Sequence, residues 1–369
     1  MKLADLYYHK PAVFIKAESF NMKLKSRYIP YGDLPYGEQK FATHMVARLY
    51  GKCPGIAQLP NIYPDDNIVV RTLQGMPGVC FKDGKIVMMT GTQKYDHEIS
   101  LLDKAFSSPN TKNLEHFASE IGFLEKYLQI IKKFQSPNAV INLLGPFTVS
   151  QMLLEAGKEQ MLADKSYRKL FIQAVCVKAL WIMDKIKEYC PSTVPVVLLE
   201  ETMLGQLGVV KRSNEDITTE VVVNMLSKVI EKLKSSGAIV GVQCFEKCDW
   251  AVPIQAGADL ISFDSYNNPN NLHVITEQLK EYLQRGGMIN WACVPTVSEE
   301  NIKSLTVDYL SKRLFTTIEN LFLEGVPLDL LYRSATVSLN AGTKDIPAMF
   351  AEKINMILIQ IADRLAVKI

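Results

Sequence analysis

The sequence has no apolar run that approaches the length of a membrane-spanning helix, about 18 residues. Its first twenty residues lack the pattern of a signal peptide. The net charge of +2 gives no electrostatic reason to expect binding to nucleic acid or to an anionic membrane. The seven cysteines are scattered and odd in number, which fits reduced thiols better than a disulfide framework. These absences predict a cytoplasmic protein that acts on neither nucleic acid nor membranes.

The sequence also lacks the glycine-rich phosphate signatures of P-loop or dinucleotide-binding proteins, so a nucleotide cofactor is not supported. Histidine is scarce, and none lies between His116 and His273. Four histidines lie in the first third of the chain, distant from predicted strand ends: His9, His44, His97 and His116. We interpret all four as surface or structural residues. No internal repeat and no low-complexity tract is present.

What the sequence does contain is eight short apolar runs, most of which alternate with helical patterns. Short buried strands joined by helical crossovers build parallel sheets. The length of 369 residues suits one large α/β domain. We therefore predict a single (β/α)8 TIM barrel domain over residues 1–369. The predicted strands are residues 12–16, 55–59, 139–144, 194–199, 238–243, 260–263, 288–292 and 335–339.

Two departures from a plain barrel are expected. Residues 1–54 are an N-terminal extension that includes the first strand. Residues 62–112 are an insertion that contains a hairpin, with strands on either side of Asp83–Gly84. Asp216 or Thr218 can cap the fourth predicted helix and Asp249 the fifth. The predicted helices are residues 37–50, 114–134, 166–189, 216–235, 249–255, 271–285, 298–324 and 346–367.

The stretch 238–264 holds the largest group of candidate functional residues. In a barrel of this kind the chemistry lies where the strands end. Because side chains alternate along a strand, Gln243 and Phe245 share one face, and if that face lines the mouth, Cys244 faces the helices. The residues expected near the mouth from this stretch are Gln243, Cys244, Phe245, Glu246, Cys248 and Asp264.

Six short motifs occur in a fixed order between Gln58 and the C-terminal third: 58–60 (Gln-Leu-Pro), 145–148 (Gly-Pro-Phe-Thr), 199–201 (Leu-Glu-Glu), 244–250, 261–266 and 291–296. In order and spacing they resemble the superfamily of uroporphyrinogen decarboxylase and the C-terminal catalytic domain of cobalamin-independent methionine synthase. The resemblance runs from about Gln58 to the C-terminus. It is closer to the stand-alone methyltransferases of this superfamily, because the arginine-rich stretch of the decarboxylases has no counterpart here.

The resemblance implies a zinc site whose ligands this chain has mostly lost. In the related methyltransferases Zn²⁺ binds the acceptor thiol as thiolate. The His-x-Cys pair of those enzymes falls on Gln243 and Phe245, the acidic ligand on Asp264, and the late cysteine in 338–342, which contains no cysteine. We therefore expect no zinc of the family's type. An improvised site built from Cys248, Asp264 and Glu246 is the open alternative.

The resemblance also suggests roles for several strand-end residues. Asp264 and Glu201 are the predicted catalytic carboxylates, and the expected substrate contacts are Glu200, Gln243, Gln58, Thr148 and Tyr266. Each has a structural alternative: a solvated loop carboxylate for the glutamates, a cap for Asp264, a turn for 145–148, and turn-capping for Gln58. Trp250 and Trp291 are expected to be core residues rather than substrate platforms. Cys293 could lie near the mouth, but with no histidine close in sequence to act as a base we do not expect it to be a nucleophile.

Taken together, these features predict a methyltransferase-like enzyme that moves a methyl group to or from a thiol or a corrinoid-linked acceptor. A small molecule is the expected substrate, and the resemblance implies a corrinoid carried by a separate partner protein. Two other functions stay open: a barrel that binds a small molecule or a partner without catalysis, and a metal-free decarboxylase-like lyase. The sequence leaves the oligomeric state open, with a homodimer among the options.

Overall fold

The computed structural model describes residues 24–82, 85–153, 164–213, 215–296 and 298–368. The predicted first strand, residues 12–16, and the turn residues Asp83 and Gly84 lie outside these ranges. Within these ranges, no helix combines the length and the apolar character that crossing a membrane requires.

A six-stranded parallel sheet forms the centre of the fold, with its strands in chain order. Its strands are runs rich in Val, Ile and Leu that are buried almost throughout, as expected for strands covered by helices. They confirm the third to eighth predicted strands. A separate antiparallel pair, with Val79 opposite Met88, confirms the predicted hairpin. The strands are β1 Val79–Lys82, β2 Lys85–Met88, β3 Asn138–Leu144, β4 Val194–Glu200, β5 Ile239–Cys244, β6 Leu260–Phe263, β7 Met288–Val294 and β8 Ala335–Leu339.

Two extended segments, residues 27–34 and 54–58, occupy the space between β8 and β3. Single parallel bridges join Tyr28 to Val337 and Gly55 to Val140. A further bridge joins the two segments to each other. The fold is therefore (β/α)8-like. In the described part of the chain, six strand positions form hydrogen-bonded ladders, and the two positions occupied by segments 27–34 and 54–58 have only isolated bridges. Prolines 30 and 54 lie in these segments and have no N–H to donate, which limits the length of a ladder.

The helices cover the outer face of the sheet. Two predicted helices are interrupted in the structure. The pattern over 298–324 is divided because the side chain of Thr306 accepts a hydrogen bond from Tyr309 N and so starts a second helix. The pattern over 114–134 is divided by a 3₁₀ turn and a loop before Leu124. The helices are α1 Gln39–Tyr50, α2 Ile68–Leu73, α3 Gln93–Ser107, α4 Thr111–Leu114, α5 Leu124–Phe134, α6 Pro146–Met152, α7 Lys165–Tyr189, α8 Leu207–Ser213, α9 Thr219–Ser235, α10 Ala251–Gln255, α11 Thr276–Gln284, α12 Glu299–Ser304, α13 Val307–Leu323, α14 Leu328–Ser334 and α15 Ala348–Ala366.

The inside of the curled sheet is divided into an apolar part and a polar part. The apolar part is a cluster of buried side chains from all the strands of the sheet except β8, completed by residues of the N-terminal segment: Leu24, Ile29, Cys53, Val140, Val196, Leu198, Ile239, Leu260 and Met288. Polar side chains follow nearer to the carboxyl ends of the strands: Asn142, Glu200, Gln243, Ser262, Asn290 and Ser338, all buried. The apolar cluster fills one end of the interior, and the polar residues lie toward the carboxyl ends of the strands.

Helix α7 carries a lysine that is almost completely buried. Lys178 Nζ donates to the carbonyl oxygen of Gln74 at 2.7 Å, and also to Phe117 O and Ser119 Oγ. Since no carboxylate pairs with it in the described residues, burial lowers the pKa of Lys178 to about 7. The lysine therefore joins α7 to the loops after α2 and α4 through neutral acceptors.

We expect Lys178 to make stability depend on pH above neutrality. An unfolded lysine keeps its proton to about pH 10.4, so between about pH 7 and that value the unfolded state binds more protons and the stability contribution rises with pH. The free energy of unfolding of the wild type minus that of Lys178→Met should rise by about 2–3 kcal/mol from about pH 7 to about pH 9. Urea unfolding at several pH values measures this difference. The exposed Lys187 of the same helix is the control, because Lys187→Met should leave the pH profile unchanged.

Candidate functional site

Glu200 is the last residue of β4, and its side chain points into the polar interior. Strand alternation places it on the same face as Val196 and Leu198, which belong to the interior apolar cluster. Asn142 Nδ2 donates to its Oε1 at 3.1 Å, and the hydroxyl of Tyr31 donates to its Oε2 at 3.3 Å. Among the described residues no basic group lies within 4.0 Å of this carboxylate. Glu200 is 7% exposed, so it is a nearly buried acid with neutral partners only.

Burial raises the pKa of Glu200 to about 7, although the hydrogen bonds from Asn142 and Tyr31 and the positive charge of Arg71 act in the opposite direction. Burial and then the charge of Glu200 raise the pKa of Tyr31 well above its usual range, so this phenol keeps its proton and remains a donor. The neighbouring Gln243 side chain acts against this rise of the Tyr31 pKa. A carboxyl group whose pKa lies near 7 can give or take a proton at neutral pH, which suits general acid–base chemistry.

A chain of hydrogen-bonded side chains crosses the sheet interior from Gln243. Ser262 Oγ donates to Gln243 Oε1 at 3.3 Å. Asn290 Nδ2 donates to Ser262 Oγ and to Ser338 Oγ, both at 2.8 Å. Thr336 Oγ1 donates to Asn290 Oδ1 at 3.1 Å. Because each of these buried groups has a partner, the network fixes the orientation of the Gln243 amide beside the mouth.

Glu201 lies on the opposite face of the chain from Glu200. Its Oε1 accepts a hydrogen bond from Phe147 N at 2.9 Å, and its Oε2 accepts from Thr148 N and Thr148 Oγ1, both at 2.7 Å. A Cβ on Gly145 would lie 2.2 Å from Glu201 Oε1, so only glycine allows this approach. Burial raises the pKa of Glu201 to about 7, against these hydrogen bonds. Its catalytic role stays a prediction, and the contacts favour a structural one: the carboxylate anchors the first turn of α6.

Asp264 follows β6 at the carboxyl end of the sheet, as predicted, and is 6% exposed. Its Oδ1 accepts from Tyr266 N at 3.1 Å and from Asn267 N at 2.9 Å. Its Oδ2 accepts from the side chains of Asn267, at 2.6 Å, and Asn340, at 3.2 Å. The carboxylate therefore holds its own turn and joins it to the loop after β8. Its catalytic role also stays a prediction, and these bonds match the structural alternative.

The remaining predicted substrate contacts lie at different places around the mouth. Gln58 Oε1 accepts from Ile68 N at 3.0 Å at the start of α2, which is a capping role. The Thr148 hydroxyl is engaged with Glu201 and accepts from Met203 N at 3.2 Å. Tyr266 is partly exposed, and the Arg313 guanidinium lies 4.5 Å from its ring centroid. The structure brings Gln243 close to Glu200 and leaves Thr148 and Tyr266 outside that group. Gln58 lines the same cavity as Tyr31 and Asn142, the two hydrogen-bond partners of Glu200.

The residues considered for a metal do not converge. No three His, Cys, Asp or Glu side chains of the described residues are placed to hold an ion. Glu246 is exposed, Cys248 is partly buried, and Asp264 is engaged with the N–H groups of its own turn. At the positions of the family's His-x-Cys pair, Gln243 belongs to the polar network and the Phe245 ring packs edge-on against Tyr31 with centroids 5.1 Å apart. The donor set does not fit the zinc that the resemblance implies.

The residues that were expected to be core are core. The Trp250 and Trp291 side chains are 1% and 0% exposed, and each packs against Phe263. Cys293 is buried, which raises its pKa to about 12, so it stays a neutral thiol without nucleophilic character. Cys244 is buried on the helix side of β5, as the alternation argument predicted.

Two members of the group around Glu200 are not among the site residues predicted from the sequence. Asn142 lies inside β3, where an amide in an otherwise apolar run was a usable signal that we did not weigh. Tyr31 lies in a segment rich in Pro, Tyr and Gly whose pattern predicts only a loop. It reaches Glu200 because the segment occupies a barrel position without forming a ladder.

Comparisons with known proteins do not show a family for this chain. No family model and no curated protein matches the chain. Among solved structures, a methyltransferase from Methanosarcina mazei aligns with a TM-score of 0.49 at 10% identity, over 93% of this chain and 95% of that one. A GH5 cellulase affiliated with Bacteroidetes aligns with a TM-score of 0.42 at 12% identity, over 81% and 95% of the two chains. With both TM-scores below 0.5, neither similarity is evidence for an activity.

Proposed function

We propose that this chain is an enzyme that binds a small polar molecule at the carboxyl ends of the strands and uses Glu200 for proton transfer. The observation that carries the proposal is the environment of Glu200: a nearly buried carboxyl group with neutral partners and a pKa of about 7. Perturbed carboxyl groups in the mouth of a βα barrel are typical of catalytic sites.

Methyl transfer is the reaction that we propose, on the support of the sequence motifs alone. The methyl group would come from a corrinoid on a partner protein, which is a substrate here, or from another methylated molecule. An acceptor thiol or amine must lose its proton as its new bond to carbon forms. Since the ligand set does not fit zinc, Glu200 is the group that would take this proton, with Tyr31 and Asn142 holding the carboxylate in place.

The same carboxylate would attract a substrate ammonium group. Glu200 forms no salt bridge with the described residues, and Arg71, whose positive charge acts on it from a greater distance, is already paired with Asp66, so a bound cation would supply a closer counter-charge. The Tyr31 and Phe245 rings lie beside it and offer further favourable contacts to a cation. Amino-acid thiols and methylated amines are therefore the first compounds to test.

We expect Glu200→Gln to weaken binding of such a ligand by about ten- to a hundredfold, since losing a charge-assisted contact costs about 1.5–3 kcal/mol. Calorimetry with amino-acid thiols, methylated amines and corrinoids on the wild type and the variant measures this change. The control is Glu246→Gln, an exposed carboxylate in the loop after the neighbouring strand β5, which should bind as the wild type does. Equal affinities for wild type and Glu200→Gln would contradict the proposal.

A binding protein without catalysis is the second candidate. The observation in its favour is that the carboxylates of Glu201 and Asp264 are already engaged with protein N–H groups. Ligand binding that depends on Glu200, with no methyl transfer from any donor in the screen, would favour this function over the enzyme.

A further inference from the structure

A groove of about 890 Å³ lies on the outside of the fold, among the helices α3, α7 and α9. The beginning of α7 and most of α9 line it, and Phe106 near the end of α3 completes the lining. None of the described residues that surround Glu200 lines this groove. It is therefore separate from the site at the mouth of the sheet.

Part of the lining is apolar. Ile172 of α7 and Met225 of α9 are buried, and Val221 and Phe106 are partly buried. Val221 and Met225 are four residues apart, so they lie on one face of α9. A hydrocarbon group that packs against these four side chains would remove further apolar surface from water, which favours binding.

The rest of the lining is mainly cationic. Five basic side chains line the groove, against two acidic ones: Lys165, Arg168, Lys169, Lys228 and Lys232 against Glu220 and Glu231. Lys169 is paired with Asp103 at 2.6 Å, and Lys232 Nζ lies 4.8 Å from the centroid of the Phe106 ring. In the described part of the chain the other three cations form no ion pair within 4.0 Å. The groove thus carries positive charge that no nearby carboxylate neutralises.

The charged and apolar residues lie close together along the two helices. On α9, Lys228 and Lys232 continue the face that begins with Val221 and Met225. From Val221 to Lys232 this helix rises about 16 Å, a distance that an alkyl chain of the length of laurate can span. A single small ligand can therefore contact the apolar residues and a cation at the same time.

We propose that this groove binds a single-chain amphipathic anion: an alkyl or aryl group that packs on the apolar side chains, with a carboxylate or sulfonate that pairs with Lys165, Arg168 or Lys228. The volume lies within the range of about 300–1,000 Å³ that is usual for small-molecule sites. Two copies of the chain that met through this face would bring like charges together, which disfavours a second copy as the occupant. The proposal does not rest on the function proposed above.

The first test compares ligands on the full-length wild type at low ionic strength. Anilinonaphthalene sulfonate should become fluorescent in the groove, and laurate, kept below its micelle concentration, should displace it. Hexanoate should compete far more weakly, because each buried methylene group contributes roughly fourfold in affinity. Dodecyltrimethylammonium, a chain of the same length with a cationic head, should also compete more weakly, and added salt should weaken laurate.

The second test places the binding in the groove. The double variant Arg168→Gln/Lys228→Gln should bind laurate about five- to twentyfold more weakly, since each exposed charge contact contributes about two- to fivefold. Glutamine is a good helix former, so the variant should fold. Lys312→Gln is the matched control, because Lys312 is an exposed lysine of α13 outside the groove. This control should bind laurate as the wild type does.

Equal affinities for laurate and dodecyltrimethylammonium on the wild type would overturn the proposal without any variant. Equal affinities of the wild type and the double variant for laurate would overturn it as well. A labelled acidic amphipathic peptide that binds the wild type but not the double variant, with laurate unable to compete, would assign the groove to a protein partner instead. Co-sedimentation with phosphatidylglycerol vesicles in the absence of laurate binding would assign it to a membrane surface, and either result contradicts the proposal.

Discussion

Glu201→Ala should lower the free energy of unfolding by about 3–5 kcal/mol, the largest loss that we expect from one substitution at the mouth. The side chain is 0% exposed and accepts three hydrogen bonds. Its removal leaves the N–H groups of Phe147 and Thr148 and the Thr148 hydroxyl without their acceptor, and leaves a cavity beside Gly145. Urea unfolding of the purified variant at neutral pH measures the change.

A graded series separates the hydrogen bonds from the volume of the side chain. Glu201→Gln keeps the volume and one acceptor but places an NH₂ group against an N–H donor, so we expect an intermediate loss of about 1–3 kcal/mol. Glu246→Ala, which truncates an exposed side chain nearby, should change stability by less than about 0.5 kcal/mol. If Glu201→Ala is as stable as Glu246→Ala, Glu201 does not anchor α6.

Stability should fall as pH rises from about 5 to about 8, and the two adjacent glutamates should account for most of this fall. Burial raises the pKa values of Glu200 and Glu201 from 4.5 to about 7. Between these values the folded state keeps protons that the unfolded state releases, so the stabilisation is fully present below about pH 4.5 and is lost as pH rises through about 7. The difference between the folded and unfolded pKa values corresponds to about 3 kcal/mol of unfolding free energy for each glutamate.

The variants Glu200→Gln and Glu201→Gln test this assignment, since an amide does not titrate. Each should flatten the pH dependence of the free energy of unfolding by about 3 kcal/mol between pH 5 and pH 8, and the double variant should flatten it further. Urea unfolding at four pH values in this range gives the slopes. A wild-type slope that both single variants retain would show that other groups are responsible.

Most of the sheet could be predicted from the sequence because its strands are short runs rich in apolar residues. Residues 194–199 and 335–339 contain the β-branched and leucine residues of strands that are buried on both faces, and the structure confirms both. The closure of the ring could not be predicted, because it depends on contacts between distant segments. Tyr28 and Gly55 each make a single bridge, and a single bridge leaves no periodic pattern in a sequence.

The site could be predicted in part. Alternation along β4 places Glu200 inside the sheet and Glu201 outside it, and the run 194–199 allows this distinction. From the sequence we nevertheless predict that both residues act at the mouth. Position at a strand end identified Asp264 and Gln243 as residues of the mouth. Their hydrogen-bond partners Asn340 and Ser262 come from other strands or loops, so whether a carboxylate is free or engaged cannot be read from the local sequence.

The isolated bridges have a consequence for how the site and the whole fold depend on each other. Tyr31 is carried by the segment 27–34, which single bridges hold between the hydrogen-bonded strands, while Glu200 is carried by a strand with ladders on both sides. The contact between Tyr31 and Glu200 therefore joins the segment with the fewest sheet hydrogen bonds to a strand that is paired along its length on both sides. A ligand that binds Tyr31 and Glu200 together would stabilise the packing of segment 27–34 between β8 and β3. By thermodynamic linkage, a change that destabilises this packing must lower the affinity for the ligand.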